Sequence, residues 1–208
     1  MKVLILGATG PTGGHVLTNT LESGDTVTVL ARRPEALAAA EGSITVLRGD
    51  ATVADDVARA AEGQDAVIAA LGRGRSLSPE GLFTGAAGAV VEAMNRCGAK
   101  RLVWLSSFGV GETIKTASLP QRAMYRIILR RIYADKAASE RILRNSGLDW
   151  TIVYPTTLTN DPARGSYRAA ESIIMKGMPR ISRADVGAFM HKAAHDPEWI
   201  RRDAVITD

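Results

Sequence analysis

The sequence predicts a three-layer α/β fold, a doubly wound and mainly parallel sheet with helices on both faces, and three observations carry that expectation. Short β-branched, apolar runs alternate with helix-like stretches almost from end to end. The runs are apolar throughout, as strands covered on both sides must be, whereas a sheet with one wet face alternates polar and apolar residues. The first run ends in a glycine-rich turn that opens directly into a helical stretch.

Taken in order, residues 3–6 read as the first strand and 12–23 as the first helix. A second strand over 26–30 leads to a helix over 34–40, opened by Pro34, whose fixed φ suits a first helical turn. Residues 44–47 read as a strand, 53–61 as a helix, 66–70 as a strand and 79–97 as a helix capped by Gly98. Residues 102–105 and 151–154 are two further buried strands, separated by a long helical segment over 119–146. The pattern then loosens: 167–175 fits either a strand or a loop, 182–195 a helix and 204–207 a final strand. Ser182, three residues before Asp185, supplies a hydroxyl suited to capping the free amides of that helix.

No repeat, linker or low-complexity tract divides the 208 residues, so 1–208 is expected to be one domain with a small C-terminal substrate-side region. With 46% hydrophobic and 23% charged residues and no apolar run near the ~18 needed for a membrane span, no membrane partner is expected. The first residues lack a signal-peptide pattern, and the single cysteine, Cys97, has no internal partner; both fit a cytoplasmic protein. The formal charge of +4 is dispersed among few aromatics, which favours an anionic small ligand over nucleic acid. A monomer or homodimer is compatible with this composition.

The turn Gly7-Ala8-Thr9-Gly10-Pro11-Thr12-Gly13 stands where a Rossmann fold grips a dinucleotide. Gly7 permits the sharp turn, Gly10 lets backbone approach a pyrophosphate, and Gly13 lets helix pack closely on strand. No Lys-Ser/Thr follows, so a Walker-type site is disfavoured. At the end of the second strand, where an acidic residue would select NAD, stand Arg32 and Arg33; their guanidinium groups match the 2′-phosphate of NADP(H). The other strand ends supply Asp50 and Ala51, then Ala70, Leu71 and Gly72, then Ser106 and Ser107, and finally Pro155, Thr156, Thr157 and Leu158, all candidate cofactor contacts because ligands of open α/β sheets bind at strand carboxyl ends.

These residues resemble the atypical short-chain dehydrogenase/reductase group, most closely the biliverdin-IXβ reductase/flavin reductase type of NAD(P)H-binding protein. The resemblance rests on the glycine turn together with Gly63-Gln64-Asp65-Ala66-Val67-Ile68, Leu77-Ser78-Pro79, Leu143-Arg144-Asn145-Ser146-Gly147-Leu148 and Ile181-Ser182-Arg183-Ala184-Asp185-Val186-Gly187. It implies NADPH along the strand ends and hydride delivery to a small conjugated acceptor: a flavin, a quinone or a biliverdin-like tetrapyrrole. It also implies Ser107 beside the nicotinamide. Tyr133-Ala134-Asp135-Lys136 is one residue short of the Tyr-x-x-x-Lys of typical members, which keeps Lys136 as a ribose contact and Tyr133 as a candidate acid. Where tetrapyrrole-reducing relatives carry a histidine after the sixth strand, this chain has Thr157, which weighs against biliverdin itself. NmrA-like relatives with the same turn sense NADP(H) without catalysis, and a sugar-nucleotide epimerase is a further alternative.

Residues 119–129, with Met124, Tyr125 and Ile127, are candidates for an acceptor wall, and Arg122, Arg126, Arg130, Arg131, Arg141 and Arg144 read as a solvated helix face. His191 and His195 share a helix face at metal-binding spacing but lack an acidic partner between them, so no metal is expected.

Overall fold

The computed structural model describes residues 1–40, 42–72, 81–117 and 129–208. In chain order the elements are β1 (Lys2–Leu6), α1 (Pro11–Glu22), β2 (Thr26–Ala31), β3 (Thr45–Arg48), α2 (Ala54–Ala61), β4 (Ala66–Ala69), α3 (Leu82–Cys97) and β5 (Arg101–Leu105). They continue with α4 (Arg130–Arg144), β6 (Asp149–Pro155), β7 (Thr157–Thr159), β8 (Arg168–Ala170), β9 (Arg180–Ser182), α5 (Arg183–His195) and β10 (Arg202–Thr207). Eight strands form one sheet in the order β3-β2-β1-β4-β5-β6-β10-β8, parallel except where β8 runs antiparallel to β10. The order reverses between β1 and β4, which opens a crevice at their carboxyl ends.

Strand alternation sends successive side chains to opposite faces, and each face has its own core. Leu4, Leu6, Val67, Leu102, Trp104, Ile152 and Tyr154 meet Val57 of α2, Val90 and Met94 of α3 and Leu143 of α4. Val3, Ile5, Val29, Ile68, Val103, Val153 and Ile206 meet Val16 of α1 and Val186, Phe189 and Met190 of α5. Both faces are dry, which is why the strand sequences are apolar throughout.

Two long-range polar contacts fix the helices. Asp135 of α4 caps the start of α3, its carboxylate accepting from the amides of Phe83 and Thr84 at 3.0 and 3.1 Å and from the Thr84 hydroxyl at 2.5 Å. Arg101, buried at the start of β5, donates to the carbonyls of Ala193 and Ala194 at the end of α5 and to the Thr151 hydroxyl at 2.7 Å. Burial lowers that guanidinium to about 10, partly offset by Asp149 and Asp196.

Most predicted strands and helices recur with ends moved by one or two residues, but the helix expected over 79–97 begins at Leu82, and of the long helix expected over 119–146 the described residues are helical over Arg130–Arg144, with Leu129 before it non-helical. The segment Pro34–Ala40 is a 3-10 helix rather than an α-helix, because seven alanine-rich residues anchored by the buried Leu37 carry no continuous apolar stripe. Of 167–175, only β8 is a strand. The parallel pair β7–β9 was not expected, since three-residue strands are too short for periodicity to register. Ser182 does cap α5, accepting from the Asp185 amide at 2.9 Å. Residues 79–80, 119–128 (with Arg122, Met124, Tyr125, Arg126 and Ile127) and Leu77-Ser78-Pro79 lie outside the described residues. Among those described, no helix is long and apolar enough to cross a membrane.

Candidate active site

Because the strands are parallel, the residue sets predicted at their carboxyl ends all emerge on one edge of the sheet. The tightest part is the turn after β1. Gly7 has φ +89°, and a Cβ on it would stand 2.6 Å from the Ala70 carbonyl oxygen; a Cβ on Gly13 would stand 2.0 Å from the Gly7 carbonyl oxygen. Side chains are therefore excluded, and the turn sits against the end of β4, at the point where strand order reverses. Gly10 donates its amide to the Gly7 carbonyl at 2.9 Å and occupies the N-cap of α1 in an extended conformation without a side-chain cap. Pro11 fills the first helical position, Thr12 is buried, and Thr9 and Pro11 face solvent. Uncapped amides at a helix N-terminus, behind a turn too close-packed for side chains, are what a diphosphate requires, so the residues fit a dinucleotide.

Arg32 and Arg33 are exposed just beyond β2. Asp50 forms an Asx turn: one carboxylate oxygen accepts from the Thr52 amide at 2.9 Å and its hydroxyl at 2.8 Å, while Ala51 is half-buried beside it. Ala70 is buried at the end of β4, Leu71 is half-buried and Gly72 exposed. Pro155, the last residue of β6, and Thr156 just beyond it are buried, the Thr156 hydroxyl meets that of Thr207 at 3.1 Å, and Thr157 and Leu158 lie in β7 with Thr157 exposed.

The two serines after β5 face different partners. The Lys136 ammonium donates to Ser107 Oγ at 2.7 Å, whereas Ser106, only 2% exposed, donates its hydroxyl to Glu140 at 2.5 Å. Lys136 and Glu140 share a face of α4 at i,i+4 spacing. Burial lowers the Lys136 ammonium to about 8, against the opposing pull of Glu140 and Asp135. Phe83 covers it, its ring centroid 4.8 Å from Nζ. Burial pushes the Glu140 carboxyl up, opposed by the Ser106 and Tyr154 hydroxyls and by Arg144. Arg144 in turn donates to the Tyr154 hydroxyl at 2.9 Å and to both Asp203 oxygens at 2.7 and 2.9 Å. Arg144 is thus part of a half-buried network, not of the solvated face that the sequence suggested. The Tyr133 hydroxyl donates to the Phe108 carbonyl at 3.1 Å, tying α4 to the loop after β5.

Sequence reasoning named Ser107 and Lys136 but missed Glu140, which holds Ser106, and Asp135, which seats Lys136 by locking α4 onto α3. The i,i+4 spacing of Lys136 and Glu140 was a readable signal for the first. Nothing local signalled the second, because Asp135 and Thr84 are 51 residues apart.

The model of the NAD(P)H-binding family matches residues 7–197. The Bacillus subtilis (strain 168) protein called "uncharacterized sugar epimerase YhfK" is 31% identical over 193 residues, spanning 89% of this chain and 84% of that protein. Among solved structures, the anaerobilin reductase ChuY of Escherichia coli O157:H7 superposes with TM-score 0.82 at 24% identity, over 99% of this chain and 96% of that one. A Veillonella parvula DSM 2008 short-chain dehydrogenase/reductase, in complex with NADP, superposes with TM-score 0.82 at 18% identity, over 100% and 94% of the two chains. The two superpositions establish the shared Rossmann fold, and the family match spans most of the chain, glycine turn included. The chain belongs to the NAD(P)H-binding family.

Proposed function

We propose that the chain is an NADPH-dependent oxidoreductase that passes hydride to a small conjugated acceptor. The observation that carries this reading is the Ser107–Lys136 pair at 2.7 Å, placed at the end of β5 on the same sheet edge as the glycine cradle. NADPH, when bound, supplies the hydride. The amides opening α1 hold its diphosphate, and Arg32 and Arg33 hold the 2′-phosphate that distinguishes it from NADH.

An ammonium is a donor only, so Ser107 Oγ must accept from Lys136, and its own hydrogen is left to donate elsewhere. Aimed at a carbonyl or ring nitrogen of the acceptor, that hydrogen stabilises negative charge as it develops there. Ser106 and Glu140 hold the strand end rigid, and Tyr133, bonded to the Phe108 carbonyl, anchors α4 instead of reaching the acceptor. Flavins and quinones suit this arrangement, and the likeness to ChuY, an anaerobilin reductase, supports the reductase reading.

The name of the Bacillus subtilis relative favours a second reading, a sugar epimerase. That reading requires a tyrosine beside the reacting carbon, and Tyr133 here is turned to backbone. The non-catalytic NADP(H) sensor of NmrA-like type is the remaining alternative. Oxidation of NADPH and NADH in the presence of FMN, FAD, a quinone or biliverdin tests all three. Turnover with at least one acceptor and preference for NADPH is expected; tight binding with no turnover supports the sensor, and no oxidation together with epimerisation of a nucleotide sugar supports the epimerase.

A further inference from the structure

On the opposite edge of the sheet, where β2 begins, three side chains converge that the chemistry above does not use. Asp25 lies in the turn before β2, and His191 and His195 lie on the last two turns of α5. Asp25 Oδ2 is 2.9 Å from His191 Nε2 and 3.1 Å from His195 Nε2, and one ligand atom from each residue falls within 4.8 Å of the others. The Asp25 side chain is 6% exposed, the histidines 16% and 36%. Among the described residues no other histidine, cysteine or carboxylate cluster has this form.

We propose that Asp25, His191 and His195 bind a divalent late transition metal, of which zinc is the type, and that the ion staples the turn before β2 to α5.

The convergence of three ligand atoms carries the inference, and the hydrogen bonds around them agree with it. His195 Nδ1 stands 3.1 Å from the His191 carbonyl, which can only accept, so the Nδ1 bears the hydrogen. In the neutral ring Nε2 then presents a lone pair, and it presents it to a carboxylate. Two electron-rich atoms at that distance repel unless a cation lies between or beside them, and the Met1 ammonium on Asp25 Oδ1 already supplies part of that charge. A backbone-bound Nδ1 with Nε2 directed at the site is also how metal-ligating imidazoles are held. Ser23 Oγ, 3.1 Å from His191 Nε2 and 3.2 Å from Asp25 Oδ2, lies against the same group.

Two imidazoles and one carboxylate suit zinc, whereas magnesium and calcium favour all-oxygen shells. Bonds of about 2.1 Å around a tetrahedral ion put ligand atoms roughly 3.4 Å apart, so the two Asp25–histidine separations of 2.9 and 3.1 Å must open slightly to admit the ion, with water in the fourth position. The ordinary competitor is a proton: an imidazolium paired with Asp25, which also receives the Met1 ammonium. Burial would raise the Asp25 carboxyl, but the Met1 ammonium and the two imidazoles outweigh it and hold it well below the usual range, so it is ionised and available as a ligand.

The test is titration of metal-free protein with Zn²⁺ followed by calorimetry and thermal unfolding, with Co²⁺ absorption as an independent reading of geometry. The proposal expects one equivalent bound, a rise in Tm, a tetrahedral Co²⁺ spectrum, and affinity weakened at least about tenfold in His195→Gln and in Asp25→Asn. His15→Gln, the third histidine of the chain, should leave all three unchanged. If Asp25→Asn fails to fold, His195→Gln and the Co²⁺ spectrum decide. No saturable binding, binding unaffected by His195→Gln, or a Tm that rises with acid but not with zinc would overturn the metal and leave a proton in its place.

Discussion

Lys136→Met separates a functional lysine from a structural one, because the fold makes the two roles move stability in opposite directions. The ammonium is buried and held at about 8, below the 10.5 of an exposed lysine. That depression means the folded state binds the proton less tightly than the unfolded chain. Below about pH 8 both states are protonated and the fold carries the full penalty; between about 8 and 10.5 only the unfolded chain stays protonated, so stability rises with pH. The separation amounts to about 3 kcal/mol at neutral pH. Methionine keeps the apolar stem against Phe83 and removes the charge, and the half-exposed Ser107 regains a water partner. Urea unfolding at pH 7 should therefore show Lys136→Met more stable by about 1–3 kcal/mol. Turnover should move the other way. Loss of a charge-assisted bond to Ser107 is worth about 1.5–3 kcal/mol, roughly a 10- to 150-fold fall in NADPH oxidation. The wild-type rate should also decline above about pH 8, as the ammonium loses its proton, and that limb should vanish in the variant. A variant less stable than wild type with unchanged turnover would refute the reasoning.

Arg32→Ala/Arg33→Ala should raise KM for NADPH by about a hundredfold and leave KM for NADH within a few-fold, measured by steady-state kinetics. Gly13→Ala forces a methyl to within 2.0 Å of the Gly7 carbonyl, and should cost about 3 kcal/mol in urea unfolding while abolishing dinucleotide binding by calorimetry. Asp135→Ala strips the cap from α3, and should cost about 1–2 kcal/mol while loosening amide exchange at Phe83 and Thr84.

The parts of this molecule legible in the sequence are those written in local pattern. Burial on both faces makes β1, β4, β5 and β6 apolar runs, and the steric demands of one turn leave glycine at positions 7 and 13. Ser107 was reachable because it follows the fifth strand where the family resemblance places a serine, and Lys136 because Tyr133-Ala134-Asp135-Lys136 nearly matches Tyr-x-x-x-Lys. The contacts that were not legible join distant segments. Asp25 meets His191 across 166 residues, and the metal reading of the histidine pair changes once that carboxylate arrives. The sequence sets Ser106 and Ser107 side by side after β5 without showing their partners, and the structure separates one toward Glu140 from the other toward Lys136. Arg144 read as a surface charge because Asp203, its partner, belongs to the last strand.

The most direct test of the central claim is oxidation of NADPH deuterated at the nicotinamide C4 by a flavin or quinone acceptor, run beside Ser107→Ala. The account predicts oxidation of NADPH matched one-to-one by acceptor reduction, an isotope effect on the rate, and a fall of at least about tenfold in the serine variant. Stoichiometric binding of NADPH with no acceptor reduced, or turnover untouched by Ser107→Ala, would contradict it.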